Sequence, residues 1–154
     1  MTPTLEPLLA ESPLFKGFDP AHLSLLAASV TNVRYNAGDY LFREGETSSQ
    51  FYVLRSGKVA LEINAPGRGP LIIQTLGEGD LLGWSSMVPP YTKHFCARAI
   101  ELTRALAFDG AKVRQLCEGD PKLGYELLKR LSAVMGQRLQ ATRLQVLDLY
   151  GNNR

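Results

Sequence analysis

Histidine and cysteine are scarce, two of each in 154 residues. His22 and His94 stand far apart in the chain, which leaves no set of imidazoles from which a catalytic metal centre is assembled. Cys96 and Cys117 form no CxxC pair and cannot supply the four thiolates of a structural zinc or an iron–sulfur cluster. A metal site is therefore not expected; with no Ser/His/Asp set of plausible clustering and no Walker-type glycine loop, no catalytic residue is expected either, and unpaired thiols fit a reduced, cytoplasmic setting. Long apolar runs are missing too: none approaches the roughly 20 residues that span a bilayer, and the acidic stretch MTPTLEPLLAESPLF lacks the basic region of a secretory signal. Charge of one sign is not in excess. A net charge of +2 is too small for a surface devoted to gripping nucleic acid.

What is present reads as one globular domain over residues 1–154, long enough to bury about 70% of its unfolded surface without a staple. Asp19-Pro20 offers a cap followed by proline at the first helical position, and Leu23, Leu26, Ala27 and Val30 recur at helical spacing, which predicts an N-terminal helix over 19–30. The breaker-rich stretch before it, with Leu14, Phe15 and Phe18, predicts a turn pinned to the core. Over 30–109 the pattern changes to short β-type runs, YLFRE, FYVLR, KVALEI, PLIIQTL, DLLGW, HFCARAI and TRALAF, punctuated by glycines from Gly38 to Gly83. Many short strands imply a sandwich or barrel.

After Phe108 the period lengthens again. Asp109 caps a short helix expected over 109–119, and Asp120-Pro121 repeats the cap-plus-proline signature for a long helix over 120–150. Along it, Leu128, Leu131, Met135, Leu139, Thr142, Val146 and Leu149 step by three or four residues. At 1.5 Å per residue about thirty residues reach roughly 45 Å, further than a small β-domain extends. Two destinations fit the apolar stripe: the domain's own strands, or a second copy through parallel helices, with Leu128, Leu131, Met135, Leu139 and Val146 in the seam and Gly136 permitting close approach. Lys122, Lys129, Arg130, Arg138 and Arg143 stand against Glu126 on this helix, a local charge of +4 that is either solvated or meets an acidic partner.

YLFREGETSSQFYVLRSGKVAL, with turns at Gly45 and Gly57 around the apolar strand Phe51 to Leu54, resembles the first signature of the cyclic-nucleotide-binding domain in catabolite-activator-type bacterial regulators. The likeness covers nearly the whole chain. It implies an eight-stranded jelly roll, a phosphate-binding cassette between two of its strands, and a long C-terminal helix that dimerises and covers the pocket. The second signature of that family reads apolar-Gly-Glu and, about ten residues later, Arg-Ser-Ala. Here Leu82 and Gly83 match, Trp84 stands at the glutamate, and Lys93, His94 and Phe95 stand where the family has Arg, Ser and Ala. Thr142 and Arg143 occupy the place where the family's helix reaches the nucleotide. No helix-turn-helix follows Tyr150, so DNA binding is not expected of this chain.

The substitutions change what the cassette can do. In the family a carboxylate accepts a hydrogen bond from the ribose hydroxyl while a guanidinium and backbone N–H groups hold the phosphate. The indole of Trp84 only donates. Lys93 keeps a positive charge but loses the planar fork of arginine. Trp84, Ser85, Ser86 and Met87 read as a short helical turn whose N–H groups and serine hydroxyls suit an anion, or as ordinary caps. Trp84, Tyr91 and Phe95 either plug the pocket or line a site for a flat ligand. His94 reads as a partly exposed strand residue or a ligand contact. The function expected is a sensor or regulatory domain with a degenerate cassette, which requires no cofactor, takes a cyclic nucleotide or another small anionic or aromatic ligand, and acts as a homodimer on a protein partner. The alternative is a ligand-free interaction module plugged by Trp84.

Overall fold

Four consecutive apolar residues, Phe51 to Leu54, show how the molecule is layered. In the computed structural model, which describes residues 5–151, they lie in a strand buried on both faces, which is why no polar residue interrupts them. Phe51 and Val53 face a helical layer, whereas Tyr52 and Leu54 face the interior of a β-roll. The outermost residues of the expected 1–154 domain, 1–4 and 152–154, lie outside the described residues.

The elements run α1 (Glu6–Glu11), α2 (Pro20–Ala27), β1 (Val30–Tyr35), β2 (Tyr40–Phe42), β3 (Gln50–Ser56), β4 (Val59–Ala65), β5 (Gly69–Leu76), β6 (Leu81–Leu82), a 3₁₀ turn (Trp84–Met87), β7 (Cys96–Ala99), β8 (Thr103–Asp109), α3 (Gly110–Gly119) and α4 (Pro121–Gly151). The strands form two four-stranded antiparallel sheets, ordered β1-β8-β3-β6 and β2-β7-β4-β5. This is the jelly roll with flanking helices. Alanines at 97, 99, 105 and 107 line its interior opposite Phe42, Tyr52, Leu61 and Leu82, so small residues make room for large ones. On the other side Phe51 stacks on Phe108 with ring centroids 4.5 Å apart, and Phe15 from the N-terminal turn packs against Phe108 at 5.4 Å.

The proposed caps form where Asp precedes a helix: Asp19 accepts from the Ala21 N–H, Asp109 from Lys112 and Asp120 from Leu123. One boundary and one element differ from expectation. Val30 begins β1 rather than closing the N-terminal helix, and an additional helix, α1, precedes the turn with Leu9 buried.

The long helix resolves into two halves, and this corrects the seam assigned to it. Leu123, Leu127 and Leu131 are buried in the chain's own core, with Val134 and Met135 packed against that core's edge. Leu131, 1% exposed, and the half-buried Met135 are thus engaged within the chain, because α4 first crosses its own helical layer. Past Gly136 the helix leaves that layer: Leu139, Val146 and Leu149 are exposed, as is Leu128 on the outer side of the first half. Two of the five cations behind the +4 charge of α4 are tied within the chain, since Lys129 and Arg130 both pair with Glu126 and Arg130 donates to the Leu14 carbonyl. Among the described residues, no helix is long and apolar enough to cross a membrane.

Candidate ligand-binding site

The segment between β6 and β7 opens with Gly83 at φ 81°, a left-handed conformation that favours glycine. Space imposes the same choice. A Cβ there would lie 2.9 Å from the Gln50 carbonyl oxygen and 2.8 Å from the Lys93 ammonium. Trp84–Met87 then form the expected turn, as a single 3₁₀ turn too short to sum many peptide dipoles. Thr92 bridges to Thr47, and the Lys93 N–H donates to the Glu46 carbonyl, which fixes the return path to β7.

Lys93 is the centre of this segment and is only 4% exposed. Its ammonium donates to the Gln50 carbonyl at 2.8 Å and the Gly83 carbonyl at 3.5 Å, and lies 4.1 Å from the Phe42 ring centroid. Burial draws its pKa down to about 8, against the opposing pull of Glu46. Among the described residues, backbone carbonyls and no carboxylate accept the hydrogen bonds of this cation. Ser85 donates to the Ser48 hydroxyl at 2.8 Å, and the Ser86 side chain is packed beside Gly110 with its hydroxyl unpartnered. His94 is exposed in a bend that precedes β7, so it is not a strand residue.

Two spaces adjoin the segment. The first, of about 10 Å³, is enclosed by Phe42, Gly83, Trp84, Ser85, Lys93, His94 and Phe95. It holds one water at most. The second, of about 250 Å³, lies between the roll and α4 and is lined by Leu61, Ile73, Gln74, Trp84, Phe95, Met135, Arg138, Leu139 and Thr142. Trp84 and Phe95 stand in the walls of both, so together they divide the cassette from the α4 side. Tyr91 is not with them: its ring lies under the Arg114 guanidinium, 4.0 Å away.

Of the sequence-derived candidates, the structure brings Gly83, Trp84, Ser85, Lys93, His94 and Phe95 together around the smaller space, and Thr142 to the larger one. Ser86, Tyr91 and Arg143 line neither. Sequence reasoning missed Phe42, Gln50 and Arg138. Arg138 sits four positions before Thr142, on the same helix face, and that spacing was the available signal. Burial lowers its pKa, with Asp80 opposing, and its Nη1 is buried without a hydrogen-bond partner. Gln145 donates to the Ile73 carbonyl at 3.3 Å and ties α4 to β5 beyond the cavity. Among the described residues, no three His, Cys, Asp or Glu side chains gather as a metal would need.

Residues 32–120 match the family model described as the cyclic nucleotide-binding domain. Over 145 residues the chain is 27% identical to the CRP-like cAMP-activated global transcriptional regulator of Mycobacterium tuberculosis, covering 94% of this chain and 63% of that protein. The chain therefore spans less than two thirds of that regulator's length. Among solved structures, a cyclic nucleotide-binding domain from Methylobacillus flagellatus superposes with a TM-score of 0.81 at 20% identity, covering 94% of this chain and 85% of that one. The catabolite activator protein of Thermus thermophilus gives 0.72 at 28% identity, covering 91% and 63%.

Proposed function

The chain belongs to the cyclic nucleotide-binding domain family, and from that premise we propose that it is a ligand-sensing regulatory domain whose cassette has lost its phosphate seat and whose ligand enters the cavity between the roll and α4. One observation carries this reading. The cassette space is about 10 Å³ while the space on the α4 side is about 250 Å³, with Trp84 and Phe95 between them. Lys93 would have to leave two carbonyls before it met a phosphate, and Trp84 offers a ribose hydroxyl no acceptor, a loss of about 1–3 kcal/mol for a buried hydroxyl.

Occupancy is read by α4. Met135, Arg138, Leu139 and Thr142 all project from that helix into the cavity wall, so a ligand that favours one position of α4 shifts the helix by its differential affinity. The exposed apolar residues beyond Gly136 then form the seam of a homodimer, whose state a protein partner in the cytoplasm detects. The M. tuberculosis relative is named as cAMP-activated. Carried to this chain, that makes a cyclic nucleotide the ligand against which the loss of the phosphate seat is tested.

Calorimetric titration with cAMP and cGMP of the unaltered chain and of a Trp84→Glu, Lys93→Arg double variant tests the reading. Weak or absent binding by the unaltered chain and a gain of at least tenfold in the variant are expected. Tight cAMP binding by the unaltered chain would overturn it. A ligand-free interaction module is the second reading, favoured by the closed cassette alone, and it requires that no small molecule perturb Trp84.

A further inference from the structure

The cavity beside α4 carries its own statement of what fits it. Resting on the reading of that cavity as the ligand site, we infer that it takes a small aromatic carboxylate whose charged group is held by Arg138 from α4 and not by the cassette. Arg138 lies in the wall of this cavity and also of a neighbouring one of about 360 Å³ that includes Asp80 and Gln137. Its Nη1 is enclosed without an acceptor, although a guanidinium stays charged and presents donors in a rigid fork. Among the described residues it forms no ion pair within 4.0 Å: the pairs present are His22–Asp120, Arg98–Glu62, Lys129–Glu126 and Arg130–Glu126. Arg138 lines the cavity, and a carboxylate there, met by a turn of the side chain that brings Nη1 out of its enclosure, supplies the missing acceptor and matches the fork in two parallel hydrogen bonds.

The rest of the wall selects the body of the ligand. Trp84 and Phe95 offer ring faces and edges, while Leu61, Met135 and Leu139 offer apolar surface. Gln74 and Thr142 are its other polar residues, and the Thr142 hydroxyl already donates to the Arg138 carbonyl. At about 250 Å³ the space falls just below the roughly 300–1,000 Å³ of drug-sized sites, which suits one ring with a short acidic arm. A full cyclic nucleotide would need the closed cassette as well. Lys93, the other enclosed cation nearby, is engaged by carbonyls.

Trp84 is the sole tryptophan of the chain, so its emission reports the cavity directly. Titrating the full chain with phenylacetate and benzoate, and in parallel with phenylacetamide and benzamide, compares a charged with a neutral group on the same ring. The acids should shift Trp84 emission and raise the melting temperature, with the amides at least tenfold weaker. Arg138→Gln should erase the acid preference and Arg138→Lys recover part of it, with circular dichroism checking that each variant folds. Equal binding of acid and amide by the unaltered chain overturns the inference while leaving the cavity as a ligand site, and so does an acid preference that survives in a folded Arg138→Gln. If cyclic nucleotides bind and neither acid does, the inference again falls and the family's ligand class stands. If nothing perturbs Trp84, the sensor reading falls with it.

Discussion

Cutting α4 at two places separates its two halves. Leu131 is 1% exposed and packs in the helical layer, so Leu131→Ala removes three buried side-chain carbons from the chain's own core. Such a truncation, which leaves the Cβ methyl, costs about 2–5 kcal/mol, and the cost should appear in urea denaturation as a lower midpoint with an unchanged slope. Val146, 45% exposed, and Leu149, 66% exposed, touch none of that core. Replacing both by Ala removes five side-chain carbons worth about 0.8 kcal/mol each if fully covered. With half of that realised in a partly covered seam, each protomer loses about 2 kcal/mol and a twofold dimer about 4 kcal/mol. That corresponds to roughly a thousandfold weaker dimer. Sedimentation equilibrium over a range of concentrations reads the second effect, and denaturation at the lowest concentration, where monomers prevail, should show Val146→Ala/Leu149→Ala within about 0.5 kcal/mol of the unaltered chain. A Leu131→Ala variant less than 1 kcal/mol weaker would refute the packing of the first half. A double variant that sediments like the parent would refute the seam.

Gly83→Ala should cost about 2–4 kcal/mol in urea denaturation, combining a left-handed alanine with contacts to the Gln50 carbonyl and Phe51 Cα; a neutral outcome would show that the segment relaxes freely. Lys93 titrates at about 8 in the folded chain against an ordinary 10.5, so between those values the unfolded chain binds more protons. Stability of the parent should therefore rise with pH through that window relative to Lys93→Met, and a difference between the two that stays flat from pH 7 to 10 would remove the burial argument. Asp109→Ala should lower stability by about 1 kcal/mol through loss of the α3 cap, read by thermal melting.

The roll was legible because its residues are extreme. FYVL has no polar interruption since both of its faces are covered, and the Asp-Pro and Asp caps announce α2, α3 and α4. β1 was hidden as a separate run because VTNVRY is mostly open to solvent, with only Val30 buried, so its composition is polar. α1 was hidden because no side chain caps it and it is held by one buried residue, Leu9. The spacing of the family's second signature placed Trp84 and Lys93 to Phe95 around one point, whereas the direction of Tyr91, whose ring turns to Arg114, left no mark in it. The direction of the Lys93 ammonium was hidden as well, because its acceptor, the Gln50 carbonyl, arrives from a strand more than forty residues upstream and carries no side-chain signal. Nor does periodicity divide α4, whose stripe continues unbroken while its surroundings change from a packed helical layer to a cavity beside the roll and then to solvent.

A strand shared by two cores has a thermodynamic consequence. With Phe51 and Val53 on one side and Tyr52 and Leu54 on the other, neither the helices nor the β-layers can melt while the other keeps its contents dry. Heating at protein concentrations low enough to hold monomers should then give one calorimetric peak whose measured enthalpy equals the van't Hoff value.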